Sequence, residues 1–486
     1  MKVSLNWLRD YTKIDLQLDQ ISDLLTQIGL EVEGLERFES IPGGLNGLIV
    51  GEVLSSVKHE NADKLSVCMV DVGAEEPLQI VCGAPNVAAG QKVVVAPVNT
   101  ILRTSSGDSF AIKKAKIRGI ESKGMICAED EIGLGDNHDG IMVLSNDVEV
   151  GSNVKDLYDI YSDDVIEIGL TPNRSDAFSH IGVARDLVAG MAIQYDKTNT
   201  TNWPSVDEFA AERNEVIDIE VKNAEACPVY AGVVVTDLVI APSPDWLKNR
   251  LLAIGVKPIN NVVDITNFVN HELGQPLHAF DLRQLKGKKI IVQNLPDNTK
   301  FTTLDDVERK LSHDDLMICN AEEGMCIAGV YGGINSGVKD DTTAIFLESA
   351  YFAPSGIRLS ELRHDLRTDA AAKYEKGIDP TLQAYAAKRA ALLLKELAGG
   401  TIASEIHMIE AKKIEPHKIT LSYNRLNKLV GEVIPKDKVK EILLLLDFTI
   451  HSEDDGQLEL ESPLYRTDVT READVVEEVL RIYGFN

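Results

Sequence analysis

Apolar residues near the start of the chain are spaced for two short helices. One carries Leu5, Trp7 and Leu8, and the other runs from about Asp19 to Ile28, where Gly29 ends it. Between residues 40 and 151 the pattern shortens to LIVGEVLSSV, LSVCMVDV, LQIVCG, KVVVAPV and FAIKKAKIRG, broken by Gly, Pro, Asn and Asp. Strands punctuated so regularly predict a small β-barrel. About forty residues rarely bury enough surface to fold alone. Residues 1–39 are therefore expected to complete their core with residues 152–195, leaving 40–151 as an insertion at a tolerant loop. Within 165–192 a strand passes through TPNRSD into a helix, with Pro172 barring the strand and Ser175 or Asp176 available as the cap.

Residues 195–215 are polar and read as a linker or a loosely docked segment. A mixed α/β stretch follows, with strand candidates VYAGVVVTDL, KKIIVQNL, LMICN, MCIAGVYGG and AIFLESAYF and a hairpin over KFTTLDDVERKL. Helices near 244–254 and 382–398 bracket them, the second stopped by Gly399-Gly400. The last piece, 412–486, has helices in SYNRLNKLVG and PKDKVKEILLLLDF, a hairpin turning at Asp455-Gly456, and an amphipathic helix in TREADVVEEVLRIYGFN. These patterns divide the chain into 1–39 plus 152–195, 40–151, 196–408 and 409–486.

Against this background the stretch 258–281, PINNVVDITNFVNHELGQPLHAFD, stands out. Asp264, Thr266 and Asn267 interleave with Val262, Val263, Ile265, Phe268 and Val269, and buried amides or hydroxyls are costly unless each finds a partner. The segment is either a pocket lining or a polar-rich helix, a turn and a satisfied core histidine, His278. Glu348 sits in AIFLESAYF, where a period of two puts it on one face with Phe346 and Leu347 on the other. It is either a recognition carboxylate or half of an ion pair with Arg358 or Arg363. On the terminal helix Asp474, Glu477 and Glu478 lie at i, i+3 and i+4 and share a face, with Val475, Val476, Val479, Leu480, Ile482 and Tyr483 opposite; Thr470 is a plausible N-cap and Glu472 suits the first turn.

The chain has 486 residues and a formal net charge of −28, too long for one core and too acidic for indiscriminate nucleic-acid binding. A specific RNA partner is still open to local basic patches: Arg103–Lys123 holds six Lys/Arg against two acids. Lys64, Lys113, Lys114, Lys116 and Arg118 could track a phosphate backbone or merely keep a barrel edge soluble. The six cysteines show no metal-type spacing and read as reduced thiols of a cytoplasmic protein, and no apolar run approaches the ~20 residues of a membrane span. No Ser-His-Asp or Cys-His set is evident, so a covalent nucleophile is not expected.

PINNVVDITNFV with ELGQPLHAFD resembles the editing-domain signature of the bacterial phenylalanyl-tRNA synthetase β-subunit family. HENADKLSVCMVDVG, QIVCGAPNV, KIRGIESKGMICAEDEIGLG and NHDG resemble the tRNA-binding OB-fold module of that family, and TPNR matches another of its motifs. The implied fold is multidomain α+β: a small α/β N-terminal domain with an inserted OB-fold β-barrel, a mixed α/β editing domain, and a small C-terminal α+β domain. The resemblance implies that Thr266, Asn267, His278, Gly332, Glu348, Thr368 and Ala370 line a pocket hydrolysing tyrosine wrongly attached to tRNA(Phe). It also implies that Asp468, Asp474, Glu477 and Glu478 hold Mg²⁺ at the contact with an α subunit in an (αβ)₂ heterotetramer. ATP would be used by the whole ligase and not by this stretch, and similar sequences continue well beyond residue 486, so a fragment cut at a domain boundary is expected. The alternatives are a free-standing trans-editing hydrolase and a tRNA-binding scaffold with an inert pocket.

Overall fold

A computed structural model describes residues 1–104, 107–454 and 456–484. The chain forms two compact units, Met1–Glu36 with Asp164–Asn486, and Arg37–Asp163. No helix among the described residues is long and apolar enough to cross a membrane.

In the unit Arg37–Asp163 the strands run in the order Gly124–Ile126, Lys92–Pro97, Ile49–Lys58, Ser66–Asp71 and Leu78–Cys82, with Val143–Leu144 also paired to Lys92–Pro97. The free edge of Leu78–Cys82 comes back to the other end of the sheet, where Lys123 N donates to Gln79 O (2.8 Å) and Val81 N to Ser122 Oγ (3.1 Å). The result is a nearly closed, barrel-like sheet. Gly51 allows the wall to close: a Cβ there would lie 2.6 Å from Val95 Cγ2 and 2.8 Å from Val70 Cγ1. Two expectations change. FAIKKAKIRG is not one strand, because Ile112 turns into the core; Ser109–Ala111 pairs with Ile101–Arg103 and Ala115–Ile117 with Ile120–Ser122. Residues 152–163 belong with the barrel, since Val50 N donates to Ser152 O and Val154 N to Leu48 O, and Val154 is buried in the barrel core.

The other unit gathers what the sequence pattern separates. One core takes Trp7 and Leu24 from the first helices, Leu187 from His180–Gln194, Phe268 and Leu394 from the middle of the chain, and Val475, Val479 and Ile482 from the terminal helix. Apolar faces too small to bury themselves alone share a common interior. Two five-stranded sheets lie beside this core. The first has the order Leu277–Asp281, Ile345–Tyr351, Val229–Thr236, Thr401–Ile402, with His407–Glu410 also on Val229–Thr236. The second runs Asp218–Val221, Lys289–Asn294, Leu316–Cys319, Gly324–Ile327, Tyr331–Gly332. Tyr230, Phe280 and Phe346 of the first sheet pack with Val292, Ile318 and Ile327 of the second. Val233, Ile345 and Leu347 point the opposite way, against the helices Asn261–Leu273 and Gln383–Ala398. The period-two reading of AIFLESAYF therefore holds.

The helix His180–Gln194 is capped by Ser179, whose hydroxyl accepts from Gly182 N, and not by Ser175 or Asp176. Ser175–Ala177 first makes a 3₁₀ turn, and Asp176 is held by Arg174. Residues 195–215 have little regular structure but are tied down: Asn202 N donates to Tyr11 O and Glu212 N to Ile402 O, both at 2.7 Å. Near the end, Gln457–Glu461 lies between Lys418–Ser422 and Thr449–Asp454; the expected turn residue Asp455 lies outside the described residues.

Candidate functional site

The helix Asn261–Leu273 starts where the Asn260 side chain accepts from Val263 N and stops at Gly274, whose positive φ of 81° suits a residue without Cβ. Val262, Ile265, Phe268 and Val269 commit one side of it to the core. Thr266, Asn267 and Asn270 recur three and four residues apart and so share another side. Thr266 Oγ1 donates back to Val263 O (2.7 Å), which satisfies the buried hydroxyl. Past the Gly274 turn the chain enters Leu277–Asp281, where His278 faces Glu348 across the antiparallel pair. Thr368 caps the helix Asp369–Tyr374 by accepting from Ala371 N (3.1 Å), and it donates to Val330 O (3.0 Å), tying that helix to the turn before Gly332.

These elements enclose one cavity of about 320 Å³, lined by all seven residues expected there: Thr266, Asn267, His278, Gly332, Glu348, Thr368 and Ala370. Gly332 keeps it open, because a Cβ at that position would meet Leu304 Cδ1 at 3.0 Å and His278 Cε1 at 3.1 Å. Glu348 is 4% exposed and makes no ion pair among the described residues; Tyr230 Oη donates to its Oε2 at 2.6 Å. Arg363, one alternative partner, is engaged by Asp314 and Asp315 instead. Burial pushes the Glu348 carboxyl up to about 7, against the opposing pull of the Tyr230 hydrogen bond. Burial pushes the His278 imidazole down to about 4, so it is neutral at pH 7. Among the described residues its Nε2 is buried without a partner, as is Asn270 Oδ1, and both residues line this cavity, so His278 is not a satisfied core histidine.

Tyr230, Asn270 and Tyr374 were not among the expected residues. Asn270 was within reach, at i+4 from Thr266 and i+3 from Asn267. Tyr230 lies in the apolar run VYAGVVV and carries no signal of its own. Lys373, a buried residue of the helix Asp369–Tyr374, donates to Asn270 O (2.6 Å), and burial pushes its amine down to about 7.

The basic candidates are all exposed. Lys116 and Arg118 lie on the ribbon formed by Ala115–Ile117 and Ile120–Ser122, where Lys114 pairs with Glu121 (3.0 Å), and Lys113 lines a separate cavity of about 500 Å³. His59 Nε2 is 3.2 Å from Ile117 O, which seats the turn carrying Lys64 against the same ribbon.

The acidic candidates do not gather. No group of three or more His, Cys, Asp or Glu among the described residues could hold a metal ion. Glu478, expected on the outward face with Asp474 and Glu477, is 2% exposed and is clamped by Arg466 and Arg481. Asp468 is taken by Arg466 at 3.1 Å and Asp474 caps its own helix by accepting from Arg471 N at 3.0 Å; Glu477 alone is exposed. Arg471, not Thr470, occupies the N-cap position, while Glu472 does sit in the first turn. Carboxylates already neutralised by arginine do not suit Mg²⁺, which requires free oxygen ligands.

Three family descriptions match the chain: "Putative tRNA binding domain" over residues 48–153, "B3/4 domain" over 226–399, and "tRNA synthetase B5 domain" over 419–485. The cavity lies in the second of these. Together they define a chain of the aminoacyl-tRNA synthetase class. Relatives described as phenylalanine–tRNA ligase beta subunit align over all of this chain: 52% identical in Bacteroides fragilis (strain YCH46), 53% in Bacteroides thetaiotaomicron and 42% in Salinibacter ruber. The chain belongs to the phenylalanine–tRNA ligase beta subunit family. It spans 59% of the length of those relatives. Among solved structures, an N-terminal fragment of the phenylalanyl-tRNA synthetase β subunit from Pyrococcus horikoshii matches at TM-score 0.35 and 16% identity, over 66% of this chain and 87% of that one, too distant to carry an argument.

Proposed function

We propose that this chain is the tRNA-binding and proofreading portion of a phenylalanine–tRNA ligase β subunit, and that its cavity hydrolyses tyrosyl-tRNA(Phe). One observation carries the reading: the buried Glu348 carboxyl, held through Oε2 by Tyr230, sits in one cavity with His278 Nε2, which has no partner among the described residues. A hydrophobic pocket built for phenylalanine rejects an added hydroxyl by only about 10². A second site that accepts the tyrosine hydroxyl on a buried carboxylate leaves that oxygen desolvated and unpaired with phenylalanine, which discriminates by about 10⁴ or more.

The ester linking an amino acid to tRNA is already activated, so positioning of water suffices and no nucleophilic side chain is required. His278, neutral at pH 7, presents Nε2 to that water or to the terminal adenosine. Thr266, Asn267 and Thr368 orient the aminoacyl group, and Gly332 and Ala370 leave it room. In this reading the barrel-like sheet is an OB-fold whose exposed Lys64, Lys113, Lys114, Lys116 and Arg118 follow the tRNA backbone. Aminoacylation, with its ATP and Mg²⁺, belongs to the (αβ)₂ assembly with the α subunit in the cytoplasm, and the terminal helix offers a partner surface. The test is hydrolysis of tyrosyl- and phenylalanyl-tRNA(Phe) by this chain, with and without the α subunit. Rapid loss of the tyrosyl ester alone supports the reading; equal, background loss of both sinks it.

A further inference from the structure

We infer that Tyr230 is a positioning residue for amino-acid selection: its phenol fixes one oxygen of Glu348 so that the other is presented to the side chain of the bound aminoacyl group. The inference rests on the proofreading reading above. Glu348 lies opposite Gly232 in the strand pairing, and Tyr230, two residues earlier, lies opposite Ala350, so Tyr230 and Glu348 are diagonal neighbours on one face. The space over Gly232 is filled by Phe346, whose Cζ is 2.2 Å from where a Cβ would stand. On this strand the phenol is therefore the polar group that reaches the carboxyl. Tyr230 is fully buried, and its 2.6 Å bond to Oε2 is the side-chain hydrogen bond that the Glu348 carboxyl makes among the described residues.

Nothing else facing Glu348 does the same work. Cys227 precedes the Tyr230 strand, Cys326 comes from Gly324–Ile327, Tyr374 from the helix Asp369–Tyr374, and His278 from Leu277–Asp281. Burial pushes both thiols and both phenols up and the imidazole down, so all are neutral near pH 7. Tyr374 Oη is spent on Ala350 O and Pro276 O. Asp369 also lines the cavity but is an acid, and among the described residues Glu348 has no ion-pair partner, so the Tyr230 hydroxyl is the group that favours the carboxylate over the acid. Removing it shifts ionisation of Glu348 to higher pH and frees the side chain to turn.

The experiment measures the ratio of tyrosyl- to phenylalanyl-tRNA(Phe) hydrolysis from pH 5.5 to 9 for the parent, Tyr230→Phe, Glu348→Gln and Tyr385→Phe. The ratio cancels the hydroxide dependence common to both esters. Preferential binding of L-tyrosine over L-phenylalanine across the same pH range is a second readout, independent of turnover. The parent ratio should rise through about pH 7, and Tyr230→Phe should move that midpoint upward by roughly one to two pH units. Tyr385→Phe removes a phenol that bonds Pro204 O far from the carboxyl and should leave the midpoint in place. An unmoved midpoint in Tyr230→Phe, with discrimination lost in Glu348→Gln, overturns the role of Tyr230 and spares the proofreading reading. Undiminished discrimination in Glu348→Gln, or a parent that neither hydrolyses nor binds tyrosine in preference, overturns both.

Discussion

His278 and Glu348 face each other across an antiparallel strand pair, and burial keeps each from its ordinary charge, the imidazole at about 4 and the carboxyl at about 7. Near neutral pH the pair therefore sets a neutral imidazole beside a carboxyl that titrates in that range. Replacing Glu348 by Ala removes the acceptor for a tyrosine hydroxyl and leaves Tyr230 unpartnered. Discrimination between the two esters should fall from about 10⁴ towards 10² or less, with hydrolysis of the phenylalanyl ester little changed. Deacylation of tyrosyl-tRNA(Phe) by Glu348→Ala at the parent rate would remove the assigned role.

Gly332 tests the cavity by volume. The methyl of Gly332→Ala stands 3.1 Å from His278 Cε1 and 3.0 Å from Leu304 Cδ1, so the imidazole must give way by a few tenths of an ångström. Both esters should be hydrolysed more slowly, by on the order of tenfold for Ala and more for Val. The unfolding midpoint of Gly332→Ala should move little, because only the ends of two side chains have to shift. Parent-like rates in Gly332→Val would show that substrate does not occupy this cavity.

Part of the cavity was legible in the sequence, where the helix 261–273 sets polar residues among its apolar ones and Glu348 interrupts an apolar strand. Gly332, Thr368 and Ala370 carry no such local signal and were reached only through the family resemblance; the cap that Thr368 makes shows only in the structure. Tyr230 was not legible, because a phenol within VYAGVVV looks like core until the strand opposite is known. The terminal helix misled for a geometric reason. At about 100° per residue, Glu478 stands only ~40° from Asp474, yet on the side towards Val475 and Ile482. Arg466 and Arg481 draw it inward, and neither pairing can be read from the helix alone. Likewise, the separate domains suggested by composition share one core because apolar faces distant in sequence meet in space.

His180 predicts a pH dependence of stability. Its Nδ1 lies 2.9 Å from His271 O, and its Nε2 accepts from Ser4 N at 3.1 Å, which fixes a neutral tautomer stacked on Trp7. Burial pushes the ring down to about 3, the carbonyl bond resisting only in part. The unfolded chain takes up a proton near 6.5 and the folded chain does not, so stability is fully present above that pH and declines as pH falls. The loss should reach about 2–3 kcal/mol by pH 4.5. In urea titrations His180→Asn should be less stable than the parent at pH 7 and show a shallower decline between pH 6.5 and 4.5. Parallel declines would mean that this ring does not carry the effect.

The terminal helix separates an ion-pair network from a metal site. Glu478 joins Arg466 and Arg481; Arg481 continues to Asp186, which also holds Arg174, itself paired with Asp176. Burial alone would raise the Glu478 carboxyl, but Arg481 and Arg466 override it and hold it down at about 2. Glu478→Ala takes one carboxylate from two buried guanidinium groups, leaving Asp468 to Arg466 and Asp186 to Arg481, and should cost about 3 kcal/mol, whereas Glu477→Ala, at an exposed position, should stay within about 0.5 kcal/mol. Because the folded value lies below the unfolded one, the contribution of Glu478 is present above about pH 4.5 and disappears as pH falls towards 2. Millimolar Mg²⁺ or a chelator should leave the urea midpoint of the parent unchanged, since no cluster of three or more metal-ligating side chains stands ready among the described residues. A midpoint raised by Mg²⁺ and restored by the chelator, and lost in Glu478→Ala, would mean that the arginines release these acids to a metal.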